Sequence, residues 1–179
     1  EILKGKRLIL PGVGAFGDGI AALENMHLIE AIKEKVTSGT PLLGICLGMQ
    51  LLFSESYEFG VHKGLGLIKG RVVHFPDPAR AGIPGYKLPH MGWNAIRATQ
   101  DLEGWEGSIL TDTPENTSVY FVHSLYPVPE DRTSIFAVAS YGGIDFCAAV
   151  RQGTITATQF HVEKSGLVGA RMLKKFCEA

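Results

Sequence analysis

Apolar residues fall in two different periods along the chain and divide it. In KRLILPG (residues 6–12) they run consecutively and stop at Pro11-Gly12, which predicts a short buried strand. Ile20, Leu23, Ile29, Ile32 and Val36 then recur at helical spacing, with an interruption near Asn25 and with Asp18 placed to cap the helix. Gly39 and Pro41 end that element and open PLLGIC (41–46), which is apolar on both faces, as a parallel strand covered by helices is. From Leu47 to about Glu55 the spacing is helical again. Strand, helix, strand, helix in this order predicts a βαβ unit with a right-handed crossover.

The middle of the chain changes period. LGLIKGRVVHF, WNAIRA, SVYFVHSLYPV, SIFAVASYGGIDFCAAVRQG and TITATQFHVE are β-rich, and Gly142-Gly143 and Gln152-Gly153 are hairpin-turn signals. A last amphipathic helix from about Ser165 turns Val168, Met172, Leu173 and Phe176 inward. No repeat, low-complexity tract or linker divides the chain. The pattern predicts one α/β domain over residues 1–179, partly parallel and partly antiparallel.

Composition narrows the class. At 45 % hydrophobic and 20 % charged residues the chain has the make-up of a soluble globule, and a formal charge of −1 supplies no electrostatic footprint for nucleic acid or an anionic membrane. No apolar stretch reaches the ~18–20 residues of a membrane span, and no signal-peptide pattern is present. Cys46, Cys147 and Cys177 are odd in number and lack CxxC spacing, which fits a reducing compartment rather than a disulfide framework. A cytoplasmic protein is the expectation.

The chemistry centres on GICLG, residues 44–48. Gly-x-Cys-x-Gly at a strand-to-helix junction is the cysteine form of a nucleophile elbow: the turn is sharp, the glycines remove clashing side chains, and Cys46 projects beyond the strand end. The helix N-terminus is expected to lower the thiol pKa, and the Leu47 amide becomes an oxyanion donor. On the pentapeptide alone, a buried small hydrophobe is the commoner fate of a free cysteine. A base is therefore required. His161 and Glu163 lie two apart, on one face if the strand continues through them, so Glu163 can hold one imidazole nitrogen while the other faces a thiol.

Two other patterns lead nowhere. Gly12-x-Gly14-x-x-Gly17 matches the dinucleotide fingerprint, but the next strand ends in Cys46 rather than in an acidic residue for a ribose. The loop reads better as the second wall of an oxyanion hole. His161-x-Glu163 also begins the zinc-deaminase signature, yet no P-C-x-x-C follows, and His27, His62, His74, His90 and His123 lack metal-ligand spacing.

PGVGAFGDG, GICLGMQLLF and FHVEKS, in that order, resemble the triad-type glutamine amidotransferases. LPHMGWN (88–94) narrows the resemblance to the glutaminase subunits of imidazole glycerol phosphate synthase. The resemblance covers essentially the whole chain. It implies a flavodoxin-like α/β fold with a mixed, mostly parallel sheet, helices on both faces and an antiparallel β-rich portion. It also implies a further strand and helix ahead of residue 1, absent from this sequence. By the same resemblance Cys46, His161 and Glu163 form the triad, and the amides of Val13 and Leu47 form the oxyanion hole. Gly14, Gln50, Glu58, His123, Ser124 and Leu125 match the glutamine pocket, where Glu58 suits the substrate ammonium. Met91, Trp93, Asn94 and Lys164 would face a (β/α)8-barrel cyclase subunit that receives the ammonia. No cofactor or metal is implied. Val162 stands where the family usually has proline, fixing φ less tightly, and Leu125 where an aromatic is common.

Three other functions fit parts of this pattern. They are a glutaminase serving a different synthase, a cysteine peptidase-like hydrolase, and a catalytically degenerate amidotransferase-like binding subunit. The PHMGWN block argues against the first, the carboxylate at Glu58 against the second, and the presence of both Cys46 and His161 against the third.

Overall fold

The computed structural model describes residues 2–99 and 105–178. Two sheets share the core. A seven-stranded sheet runs in the order β1 (Leu8–Leu10), β2 (Leu42–Ile45), β11 (Ile155–Thr158), β10 (Ile144–Gln152), β9 (Ile135–Tyr141), β6 (His90–Ala98) and β7 (Thr117–His123). A four-stranded sheet runs β4 (His62–Lys63), β3 (Phe53–Ser56), β5 (Ile68–His74), β8 (Leu125–Pro129). Helices α1 (Phe16–Asn25), α2 (Ile29–Thr37), α3 (Leu47–Leu51), α4 (Pro78–Ala81) and α5 (Gly166–Glu178) complete the elements used below. Among the described residues no helix is long and apolar enough to cross a membrane.

The βαβ expectation holds: β1 pairs with β2 in parallel, with α1 and α2 between them. β2 then pairs in parallel with β11, at the other end of the chain. All four residues of β2 are buried, and they divide between two cores. Leu43 and Ile45 face a core that includes Met172 and Phe176 of α5, whereas Leu42 faces one that includes Phe16, Leu23 and Ile32 of α1 and α2. Helices thus cover both faces of the parallel part.

The sheets are mixed, as expected, but antiparallel rather than parallel pairs predominate. Only β1–β2, β2–β11 and β3–β5 pair in parallel, and the remaining described neighbours are antiparallel. The reason lies in the connections, because tight turns return the chain immediately beside itself. Gly142 and Gly143, at φ 58° and 75°, form the two-residue loop that joins β9 to β10, a geometry that favours glycine at both positions.

Four local expectations need correction. β1 is not buried throughout, for it pairs only with β2 among the described residues and leaves Ile9 46 % exposed. The interruption near Asn25 is a full break, with His27 at φ 53° between α1 and α2. Asp18 lies inside the first turn of α1 and is not its cap; the Phe16 amide instead donates to Glu58 Oε2 at 2.5 Å. The helix after Cys46 stops at Leu51, because Phe53–Ser56 is claimed by pairing with β4 and β5. Tertiary pairing outweighs local spacing there.

Candidate active site

β2 delivers its last residue to the site. Cys46 follows Ile45 at φ 53° and ψ −111°, a conformation that L side chains rarely adopt, and α3 begins at the next residue. The elbow closes only with glycine on both sides. A Cβ on Gly48 would overlap the Leu10 carbonyl, and one on Gly44 would come within 3.0 Å of the Met49 Cα. The Cys46 amide donates to Thr158 O at 2.8 Å, fixing the elbow to β11.

His161 lies three residues beyond β11. It is not in a strand, so alternation is not what brings Glu163 to it. His161 is extended at φ −80° and ψ 98°, and a 3-10 turn over Val162–Lys164 folds Glu163 back until Oε1 sits 2.6 Å from His161 Nδ1. Its main chain is held at both ends, by its amide donating to Tyr120 O at 2.8 Å and by Ser165 Oγ donating to its carbonyl at 2.7 Å. Val162, the residue between His161 and Glu163, is buried. With Nδ1 bound to a carboxylate, Nε2 is left as the free position. It is buried and has no hydrogen-bond partner among the described residues.

A cavity of ≈ 340 Å³ joins these parts. It is lined by Cys46, His161, Val13, Gly14, Leu47, Gln50, Glu58, His123, Ser124 and Leu125, with Pro89 and Val122. Ser124 marks the place where the chain leaves β7 in the large sheet for β8 in the small one. That crossing brings His123, Ser124 and Leu125 to the pocket wall. Glu58 enters from the loop after β3, with one oxygen held by the Phe16 amide. Gly14, at φ +100°, sits in the glycine loop after β1 with open space around it.

The thiol is more basic than a helix N-terminus suggests. Burial pushes Cys46 up to about 11, and the Glu163 carboxylate adds to that rise. The Leu47 amide, Gln159 and the Lys164 ammonium pull the other way without winning. A five-residue α3 has too little dipole to offset the desolvation. Cys46 Sγ donates to Val122 O at 3.8 Å and accepts from Gln159 Nε2 at the same distance. Burial thus favours the thiol form of Cys46, and any attack through its sulfur needs a base.

Gln159 is the residue that sequence reasoning missed. It is fully buried, its Oε1 accepts from Gln50 Nε2 at 2.9 Å, and its amide reaches the sulfur. Its place two residues before His161 was the one available signal.

Met91 and Trp93 project from β6, 62 % and 59 % exposed. Trp93 meets Tyr120 edge to face at 6.0 Å between ring centroids, and Lys164 Nζ lies 5.8 Å from the Tyr120 ring centre. Asn94 is turned to the other side of β6, where Nδ2 donates to Ser140 O at 2.9 Å.

Comparison with known proteins gives the family. The family model for Glutamine amidotransferase class-I matches residues 4–179. The chain is 45 % identical over 180 residues to Imidazole glycerol phosphate synthase subunit HisH 1 of Legionella pneumophila (strain Lens), covering 99 % of this chain and 83 % of that protein. It is 50 % identical over 175 residues to the HisH subunit of Syntrophotalea carbinolica, covering 98 % and 82 %. The chain belongs to the class-I glutamine amidotransferases, in the HisH family.

The same amidotransferase architecture recurs at low identity. The structure of PurLQS from Thermotoga maritima superposes with a TM-score of 0.64 at 19 % identity, covering 96 % of this chain and 79 % of that one. The glutaminase domain of Trypanosoma brucei CTPS with bound acivicin gives 0.60 at 16 % identity, covering 99 % and 73 %. At these identities the likeness establishes the amidotransferase fold.

Proposed function

We propose that this chain is the cytoplasmic glutaminase subunit of an imidazole glycerol phosphate synthase, with Cys46, His161 and Glu163 as its catalytic triad. The observation that carries the reading is the unpartnered His161 Nε2 in a cavity shared with Cys46, while its Nδ1 is held by Glu163.

The steps follow from those positions. Glutamine enters with its carboxamide beside Cys46. His161 Nε2 takes the thiol proton as sulfur attacks the carboxamide carbon, which answers the high thiol pKa without a resting thiolate. The Leu47 amide, which already points at the sulfur, and the Val13 amide hold the tetrahedral oxyanion. The C–N bond breaks, His161 returns the proton to nitrogen, and ammonia leaves a glutamyl thioester. Water then attacks the thioester and gives its proton to His161. Glutamate departs with a new C–O bond, and the proton returns to sulfur.

Gly14, Gln50, Glu58, His123, Ser124 and Leu125 bind the substrate in this reading. Glu58 faces its ammonium, and the backbone of Leu125 serves in place of an aromatic side chain. The exposed Met91 and Trp93, with Lys164 beside the base, suit docking of a (β/α)8-barrel cyclase subunit, and Asn94 supports that strand from behind. Ammonia passed across that face would serve ring closure in histidine biosynthesis.

Glutamate release measured with and without a cognate cyclase subunit and its nucleotide ligand tests the assignment, with Cys46→Ala as the blank. Strong stimulation by the liganded cyclase is expected. Activity indifferent to the cyclase removes the partner, and a fully active Cys46→Ala protein removes the triad.

A further inference from the structure

A continuous path of hydrogen bonds joins β6 to Cys46, and its direction is fixed at both ends, by an amide nitrogen at one and a backbone carbonyl at the other. Asn94 Oδ1 accepts from the Ala95 amide at 2.8 Å, so Nδ2 is the atom that faces Ser140 O at 2.9 Å and His90 Nε2 at 3.3 Å. An amide nitrogen only donates, so His90 Nε2 must accept and its proton sits on Nδ1. That nitrogen lies 3.0 Å from His123 Nε2, which must accept in turn. The His123 proton is left on Nδ1, where it donates to Leu125 O at 2.8 Å. The same carbonyl accepts from Gln50 Nε2 at 3.1 Å, and Gln50 also donates to Gln159, whose amide reaches Cys46 Sγ.

We propose that Asn94, His90 and His123 form a one-directional hydrogen-bond relay that positions the Leu125 carbonyl, Gln50 and Gln159, and thereby sets affinity for glutamine. Every link but the first is buried, and His90 and His123 are directly paired across β6 and β7. The His90 ring is clamped between Tyr141 at 3.8 Å and Phe121 at 5.0 Å, nearly parallel to both, so it keeps its plane. Burial also keeps both rings neutral, lowering His90 to about 4 and His123 to about 3. A neutral ring carries one proton, which is what a directional relay requires.

Asn94 and His90 touch neither substrate nor reacting atoms here; they are positioning residues. The kinetic consequence rests on the glutaminase reading of the site, whereas the direction of the relay does not. The test is a pair of measurements on the full-length protein. Imidazole ¹⁵N NMR reports which ring nitrogen carries the proton, and both His90 and His123 are expected as Nδ1–H.

Asn94→Asp replaces the donor by an acceptor of the same shape. It puts an acceptor at each end of the pair, so two neutral rings hold two protons for three contacts and one link of the relay is lost. KM for glutamine should then rise about tenfold, with kcat changed less than about twofold, and Asn94→Ala should raise KM only about threefold. A role in packing alone predicts the reverse order, since aspartate fills the space of asparagine and alanine does not.

His90→Phe keeps the aromatic stack and breaks the link, so it should also raise KM. Wild-type protein with either ring as Nε2–H overturns the proposal, as does Asn94→Ala matching or exceeding Asn94→Asp in KM. Wild-type protein that releases no glutamate sinks the glutaminase reading, and the tautomers then decide the relay alone.

Discussion

His161 and His123 line the same cavity, both are buried, and they are wired in opposite ways. Among the described residues, His161 has a carboxylate on Nδ1 and no hydrogen-bond partner on Nε2. Both nitrogens of His123 are engaged by neutral groups, one by His90 and the other by the Leu125 carbonyl. The first arrangement leaves an open acceptor and an anion to stabilise the imidazolium that forms when a proton arrives. The second leaves no vacancy, and burial keeps the ring neutral. A buried histidine becomes a base when one nitrogen is left free and the other is bound to charge; with both satisfied by neutral groups it is a fixed strut.

That contrast can be broken from either side. The largest effect is expected from the triad itself: Cys46→Ala and His161→Ala should each lower kcat by about 10³-fold or more while the protein stays folded, as glutamate release and thermal melting would report together. Glu163→Gln keeps the shape of the orienting group and removes its charge. It should cost about 10²-fold in kcat with little change in KM, less than for a fully enclosed carboxylate because Glu163 is itself exposed. Gln159→Leu removes the amide that reaches the sulfur and leaves Gln50 Nε2 with the Leu125 carbonyl as its remaining acceptor, so glutamine hydrolysis should fall about tenfold in kcat/KM.

A further effect, on stability, falls on the strut. The folded-state pKa values of His90 and His123, about 4 and about 3, lie below their ordinary value of 6.5. Their contribution is therefore present above about pH 6.5 and is lost as pH falls, because the unfolded chain takes up protons that the fold excludes. Stability should decline by at most about 1.4 kcal/mol per pH unit for each histidine between about pH 6.5 and 4. Chemical denaturation across that window checks the slope, and His90→Phe should remove one proton from it.

The two histidines also differ in how far their roles are legible in the sequence. Cys46 and β2 are local features: glycines flank a cysteine after four residues buried on both faces, and short-range sterics dictate the rest. His161 and Glu163 are two apart, so their meeting is visible, although a 3-10 turn and not strand alternation accomplishes it. The resemblance supplied the pocket residues that spacing alone does not assemble. The relay is another matter. His90 and His123 are 33 positions apart, Gln50 and Gln159 are 109, and the direction of the bonds depends on the Asn94 amide at one end and the Leu125 carbonyl at the other. The capping of α1 by Glu58, 42 residues distant, escapes a sequence reading for the same reason. Buried polar partners are chosen by the tertiary fold, and local propensity holds no record of the choice.

One measurement tests the central claim most directly. Glutamine mixed with the full-length protein and its cyclase partner, quenched in acid during turnover, should leave a glutamyl group on the Cys46 peptide by mass spectrometry. Cys46→Ala should leave none and release no glutamate. Glutamate release that persists in Cys46→Ala, with no adduct on the wild-type cysteine, would contradict the account.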